Sequence, residues 1–301
     1  LEGLRDSFLG QSLAVERVSA RVKSRQGGWG EATKPLVLVF AGPSGTGKTE
    51  LAKQIASVIH GESVEHLMAS KRFVSIPMGQ YKDKRSADTL VGPAVGIEGT
   101  GQLTGALLAA PDAVVLLDEF EKAHPEAISD VLLSAFEDNG GFKDTKLDKY
   151  VPTSRATFII NTNVGSDIVL QQRERIQERS DKLTAKDPLV VQIDQQFQQL
   201  LKDLPSSINP FGRAEFRGRV DEWVMFYPYS QSQIGDVARL ALQQRVLSYY
   251  LHSAPPSRRL AIGWDPRVIN LLASKYGGTD GSEGFRPMLK GVDSMHDRLR
   301  E

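Results

Sequence analysis

Cysteine is absent from all 301 residues, so disulfides and thiolate metal sites are excluded and a reducing intracellular compartment is expected. A net field is missing too. Lys plus Arg and Asp plus Glu both number 37, so nothing draws the chain as a whole toward nucleic acid or an anionic membrane surface. Long apolar runs are also lacking. The longest, at residues 36–41 and 113–117, suit buried strands and fall far short of the ~20 residues that span a bilayer, so neither membrane insertion nor a nucleic-acid partner is expected. The five histidines, with His60 and His66 six apart, show no metal-ligand spacing and read as structural or surface residues. The chain begins with Leu and not Met, which reads as a fragment or a processed chain.

What is present is the composition of an ordinary globular protein, 25% charged and 40% hydrophobic, and long enough for one large domain and a smaller companion. Val15, Val18 and Val22 predict a helix over residues 13–23. Residues 36–40 form a continuous apolar run, as in a central parallel strand, and an amphipathic helix is predicted over 49–59. Further strands are predicted at 73–76, 113–117, 156–160 and 223–226, with helical patterns at 103–110 and 127–137 among them. Strands alternating with helices imply a parallel α/β sandwich. Residues 171–204, polar and rich in Gln, read as surface helix and loop with a solvated face and a broken apolar stripe. After Pro228 the pattern becomes mainly helical, with Ser230 and Asp265 as candidate caps. The expected division is a large α/β domain over 1–227 and a small helical domain over 228–301.

Gly42-Pro43-Ser44-Gly45-Thr46-Gly47-Lys48-Thr49 matches the GxxxxGK[ST] pattern between a predicted strand and a predicted helix, the context that a phosphate-binding loop requires. Glycines there let successive backbone N–H groups cradle a phosphate at a helix N-terminus. Lys48 would reach the β/γ oxygens, and the Thr49 hydroxyl would ligate magnesium. A second signal is the apolar run that ends in Asp118-Glu119. A strand buried on both faces leaves these carboxylates at its C-terminal edge, where Asp118 can hold magnesium and Glu119 can orient and deprotonate an attacking water. Neither is suited to an apolar sheet without a cation nearby.

From here the sequence resembles a known family. Leu117-Asp118-Glu119-Phe120-Glu121-Lys122-Ala123-His124-Pro125 is similar to a stretch of the Clp unfoldases and disaggregases, a branch of the AAA+ ATPases, and most of all to the second ATPase domain of ClpB-type proteins. Leu9-Gly10-Gln11, the GPSGTGKTELAK block, Gly101-Gln102-Leu103-Thr104, Asn161-Thr162-Asn163-Val164-Gly165, the block from Glu215 to Glu222 and Gly284-Phe285-Arg286-Pro287 follow in the family's order. The resemblance implies a P-loop NTPase large domain with a helical lid. It also implies ATP and Mg2+ as cofactors and assembly into a homo-oligomer, a hexameric ring in this family. Asn163 resembles the sensor-1 residue, Arg219 the arginine finger that reaches a neighbour's ATP, and Arg286 the sensor-2 residue of the lid. Arg213 stands where family members carry another Arg, and the region of Leu9 and Gly10 resembles the wall of the adenine pocket. Glu119, Asn163, Arg219 and Arg286 are the expected catalytic set.

The sequence departs from the family at Pro93-Ala94-Val95-Gly96, where a substrate-gripping loop usually carries an aromatic. Ala94 takes that place, Ile97 replaces a second Tyr, and Ala offers almost no apolar face to grip a passing chain. Family members also continue beyond the sensor-2 helix, so the small domain is expected to be truncated at Glu301. The expected function is an ATP-hydrolysing subunit of a ring-shaped protein-remodelling machine acting on polypeptide clients. The alternative is a nucleotide-dependent switch or assembly factor that threads nothing. A loader acting on nucleic acid, the third class, is disfavoured by the neutral charge balance.

Overall fold

The computed structural model describes residues 4, 8–29, 33–92, 101–144, 147–179, 183–248, 265, 267–271 and 290. In chain order its elements are α1 (Ser12–Gln26), β1 (Leu36–Ala41), α2 (Lys48–His60), α3 (Val64–Ala69), β2 (Phe73–Pro77), α4 (Lys84–Val91), α5 (Gln102–Ala109), β3 (Val114–Asp118) and α6 (Pro125–Ala135). Then come β4 (Gly141–Asp144), β5 (Lys149–Pro152), β6 (Thr157–Thr162), α7 (Ser166–Gln171), α8 (Arg173–Glu178), α9 (Pro188–Asp203), α10 (Ala214–Arg217), β7 (Glu222–Met225) and α11 (Gln231–Ser248). Five strands form one parallel sheet in the order β2-β3-β6-β1-β7, and β4 with β5 makes a separate antiparallel hairpin.

The apolar runs behave as strands covered on both faces. Within β1, Val37, Val39 and Ala41 join one core cluster, while Leu36, Leu38 and Phe40 join the other. The same alternation sorts Val115 and Leu117 of β3 from Val114 and Leu116, because successive side chains leave opposite faces of a strand. Helices α1 and α2 seal one face through Val15, Val18, Leu51 and Ile55, and α5 and α6 seal the other through Leu103, Leu107, Ile128 and Leu132. The result is a three-layer sandwich.

Residues 171–204 correct the sequence reading. Leu189, Val190, Ile193, Phe197 and Leu201 of α9 are all buried and belong to the main core. Their spacing forms one helical stripe, masked in the sequence by the Gln residues that occupy the solvent face. The hairpin β4–β5 was also not anticipated; its strands are short, and Phe142 and Val151 are the apolar side chains it adds to the core. Ser230 does cap α11, its hydroxyl accepting from Gln233 N at 3.3 Å, and Asp265 accepts from Arg267 N at 2.8 Å ahead of residues 267–271. Most of the expected small domain, the gripping-loop positions Ala94, Val95 and Ile97, and Arg286 lie outside the described residues.

Candidate active site

The site sits at the C-terminal ends of the parallel strands, where α/β sheets bind ligands. The loop from Gly42 to Gly47 links β1 to α2 and needs its glycines. Gly42 has φ +131° and Gly47 φ +93°. A Cβ on Gly47 would lie 2.9 Å from Phe8 Cζ and from the Tyr229 hydroxyl. Thr46 closes the loop on itself by donating from Oγ1 to Pro43 O at 2.8 Å, while Ser44 and Gly45 form its half-buried tip.

The N-terminal segment and the start of α11 brace this loop from behind. Tyr229 OH donates to Thr46 O at 3.0 Å, and burial raises the pKa of that phenol. Gln11 donates to Tyr227 O at 2.7 Å and to Thr46 O at 3.3 Å, and it accepts from Tyr227 N. Gly10, at φ +80°, lies flat against the Tyr229 ring. Gly10 therefore stands next to the side chain that braces the phosphate loop.

On the other side, β3 ends at Asp118, and Glu119 opens a 3-10 turn, Phe120–Lys122, in the left-handed conformation at φ +55°. Such a backbone at a non-glycine residue costs about 1–3 kcal/mol and is usually held for a purpose. Its anchor is Phe120, fully buried against Phe211 and Phe216 at 5.1 and 5.5 Å between ring centroids. The carboxylate of Glu119 pairs with Lys122 at 2.6 Å.

Strand β6 lies between β1 and β3 and joins the two sides. Asn161 Nδ2 donates to Thr49 Oγ1 and to Asp118 Oδ1, each at 3.2 Å. Two residues on, Asn163 accepts at Oδ1 from Lys48 Nζ at 3.1 Å and donates from Nδ2 to Glu121 at 3.1 Å. Lys48 Nζ also donates to the carbonyls of Gly42 and Pro43. The structure thus gathers Lys48, Thr49, Asp118, Glu119 and Asn163 around one locus. Asn161 and Glu121 were missed by sequence reasoning. The available signal for Asn161 was a polar residue near the C-terminal end of a strand with an apolar centre, the end at which α/β sheets bind ligands.

Arg213 and Arg219 stand apart from this locus. Arg213 pairs with Asp130 of α6, and Arg219 with Glu137 just beyond that helix at 2.9 Å. Both arginines leave the body near Phe216, which shares the aromatic cluster with Phe120. His124 is an N-cap for α6, accepting from Ala127 N at 3.3 Å.

The residues fit a magnesium–nucleotide. The glycine loop leaves no room for side chains, and Thr49 and Asp118 supply the hard oxygens that suit magnesium. The amide oxygen of Asn161, on a residue 1% exposed, accepts no hydrogen bond among the described residues. An acceptor left so inside a protein costs about 1–3 kcal/mol.

Parallel sheet, glycine loop and acidic strand end together define a P-loop NTPase domain. The sequence profile of the AAA domain (Cdc48 subfamily) matches residues 34–223, well over half of the chain, and the chain belongs to that family. It is 32% identical to the human mitochondrial disaggregase over 295 residues, 94% of this chain and 40% of that protein. It is 31% identical to the chaperone protein ClpB of Chlamydia muridarum, over 96% of this chain and 30% of that protein. The fold matches a Saccharomyces cerevisiae Hsp104:casein complex with a TM-score of 0.77 at 23% identity, covering 99% of this chain and 46% of that one. The chain therefore spans less than half the length of these relatives.

Proposed function

We propose that this chain binds ATP with magnesium and hydrolyses it as one subunit of a ring-shaped, protein-remodelling machine of the disaggregase type. The observation that carries the reading is the single amide of Asn161 bonded to both Thr49 and Asp118, which makes the glycine loop and the acidic strand end two walls of one site.

The roles follow from the chemistry. Backbone N–H groups from Ser44 to Lys48, with Ser44 and Gly45 at the tip and Gly42 and Gly47 shaping the turn, cradle phosphates. Lys48 swings from the Gly42 and Pro43 carbonyls onto the phosphate oxygens, which accept more strongly because they carry charge. Thr49 and Asp118 hold magnesium, which when bound neutralises charge on the transferring phosphoryl group. No group of three or more His or carboxylate residues that could hold a metal occurs among the described residues. Magnesium ordinarily uses one or two carboxylates together with substrate phosphate oxygens, and Asp118 would supply such a carboxylate. Glu119 leaves Lys122 to orient and deprotonate water, and Asn163 positions that water. Arg219, half-exposed at the end of an arm fixed by the aromatic cluster, serves a neighbouring subunit's site, with Arg213 beside it. With residues 1–227 as the large domain and 228–301 as the lid domain, Arg286 acts as the sensor-2 contact to the γ-phosphate, and Leu9 and Gly10 border the base.

Relatives named mitochondrial disaggregase and chaperone protein ClpB support polypeptide clients and an intracellular setting, mitochondrial or cytoplasmic, while the homo-oligomer rests on the resemblance of Arg219 to a residue that serves a neighbouring subunit. No described helix is long and apolar enough to cross a membrane. The test is hydrolysis by the purified chain with and without an unfolded polypeptide, alongside its mass with and without ATP. Stimulated turnover and an ATP-dependent ring are expected. Robust turnover indifferent to any polypeptide would replace the remodeller with a nucleotide switch.

A further inference from the structure

Asn161 occupies an unusual position for a buried amide. It is 1% exposed, at the end of a strand whose other described residues are also buried. Its nitrogen side is fully engaged by Thr49 Oγ1 and Asp118 Oδ1, both at 3.2 Å. The orientation of the amide is fixed by chemistry: a carboxylate only accepts, so the NH2 must face Asp118. That leaves Oδ1 buried and accepting nothing among the described residues. A purely structural asparagine satisfies both ends, because buried polar atoms are nearly always paired. Here only the end that touches the two expected cation ligands is paired.

We propose that Asn161 belongs to the magnesium site as the residue whose NH2, bonded to Thr49 and Asp118 at once, sets the separation of those two ligands. The inference rests on the nucleotide-site reading and deepens it. Residues that hold metal ligands in place govern metal affinity nearly as strongly as the ligands themselves. Asn161 is thus a positioning residue, acting on the cation and not on the phosphates, which the glycine loop and Lys48 hold independently. Its loss should therefore weaken metal binding while leaving metal-free nucleotide binding in place. Glu121 plays no part in this division, since its partner is Asn163.

The experiment uses the whole chain and Mn2+ as a paramagnetic substitute for Mg2+. ADP affinity is measured by calorimetry in EDTA, and Mn2+ affinity by electron paramagnetic resonance at saturating ADP. For Asn161→Ala, ADP in EDTA should bind within about threefold of the parent, while Mn2+ affinity falls about 10–100-fold. Asn161→Thr keeps a strand-compatible side chain with one donor where Asn161 supplies two. It should lose less Mn2+ affinity than the Ala variant, and it decides alone if that variant does not fold. Unchanged Mn2+ affinity in the variants overturns the inference, as does a parallel fall in EDTA, which would mark a structural role. If the parent binds neither ADP nor Mn2+, the nucleotide-site reading falls and takes this inference with it; a parent that binds both beside indifferent variants sinks the inference alone.

Discussion

The two walls of the site are built differently. The glycine-loop wall is braced from behind by buried, neutral hydrogen bonds from Gln11, Tyr229 and Thr46, with Gly47 pressed against Phe8 and Tyr229. The acidic wall has a fully buried anchor in Phe120, but its working groups are partly or largely exposed, Glu119 and Lys122 tied in an ion pair and Glu121 and Asn163 in a charge-assisted hydrogen bond. Buried neutral networks are rigid and specify one geometry, whereas exposed ion pairs are worth little and rearrange readily. Binding should therefore be preorganised, and hydrolysis should require the acidic wall to exchange partners.

The largest expected effect tests the first half of that contrast. Lys48→Ala removes the one ammonium bonded to the loop carbonyls and to Asn163. Charge-assisted bonds to phosphate are about twice as strong as neutral ones, so Mg·ATP affinity in calorimetry should fall at least ~100-fold. Glu119→Gln addresses the other wall. It should lower turnover by roughly 100–10,000-fold, the usual weight of a general base, with Mg·ATP affinity held within about threefold. If rate and affinity fall together in Glu119→Gln, the walls are not separable and the comparison breaks.

Much of this was legible in sequence, and the reasons differ by element. The strands β1, β3 and β6 were legible because a strand buried on both faces writes itself as an unbroken apolar run. The glycine loop was legible because its backbone demands particular residues, and Gly42, Gly45 and Gly47 all take positive φ. Helix α9 was misread because Gln residues obscure the buried stripe from Leu189 to Leu201. The brace behind the loop was invisible: Gln11 and Tyr227 are 216 positions apart, and no local pattern signals a partner at that distance. Asn161 was not legible as a site residue because its partners, Thr49 and Asp118, come from two other segments of the chain.

Smaller effects follow from the packing of the braced wall. Gly47→Ala must hold Ala at φ +93° with its Cβ 2.9 Å from Phe8 and Tyr229. A loss of roughly 1–3 kcal/mol, read as a drop of several degrees in melting temperature, is expected. Gly218→Ala is the matching control. Gly218 has φ −67° and a Cβ there meets nothing nearer than 3.5 Å, so its melting temperature should stay within about a degree. Equal effects at the two glycines would remove the special standing of the loop.

The smallest effect belongs to Lys122→Ala and sharpens the contrast most. Lys122 Nζ and Glu119 Oε1 are 2.6 Å apart, with both side chains about half exposed. The hydrogen bond to Glu119 raises the Lys122 pKa, so the ammonium stays charged throughout the neutral range and the pair persists whenever Glu119 is ionised. Exposed pairs three residues apart contribute little to stability, and the melting temperature should not move measurably. The kinetic outcome is the informative one. If the pair restrains Glu119 from the water it must reach, removing the lysine should raise single-turnover hydrolysis by a few-fold with Mg·ATP affinity unchanged. A fall in that rate would mean that Lys122 holds Glu119 in its working position. The acidic wall would then be preorganised like the glycine loop, and the difference between the two walls would lie only in exposure.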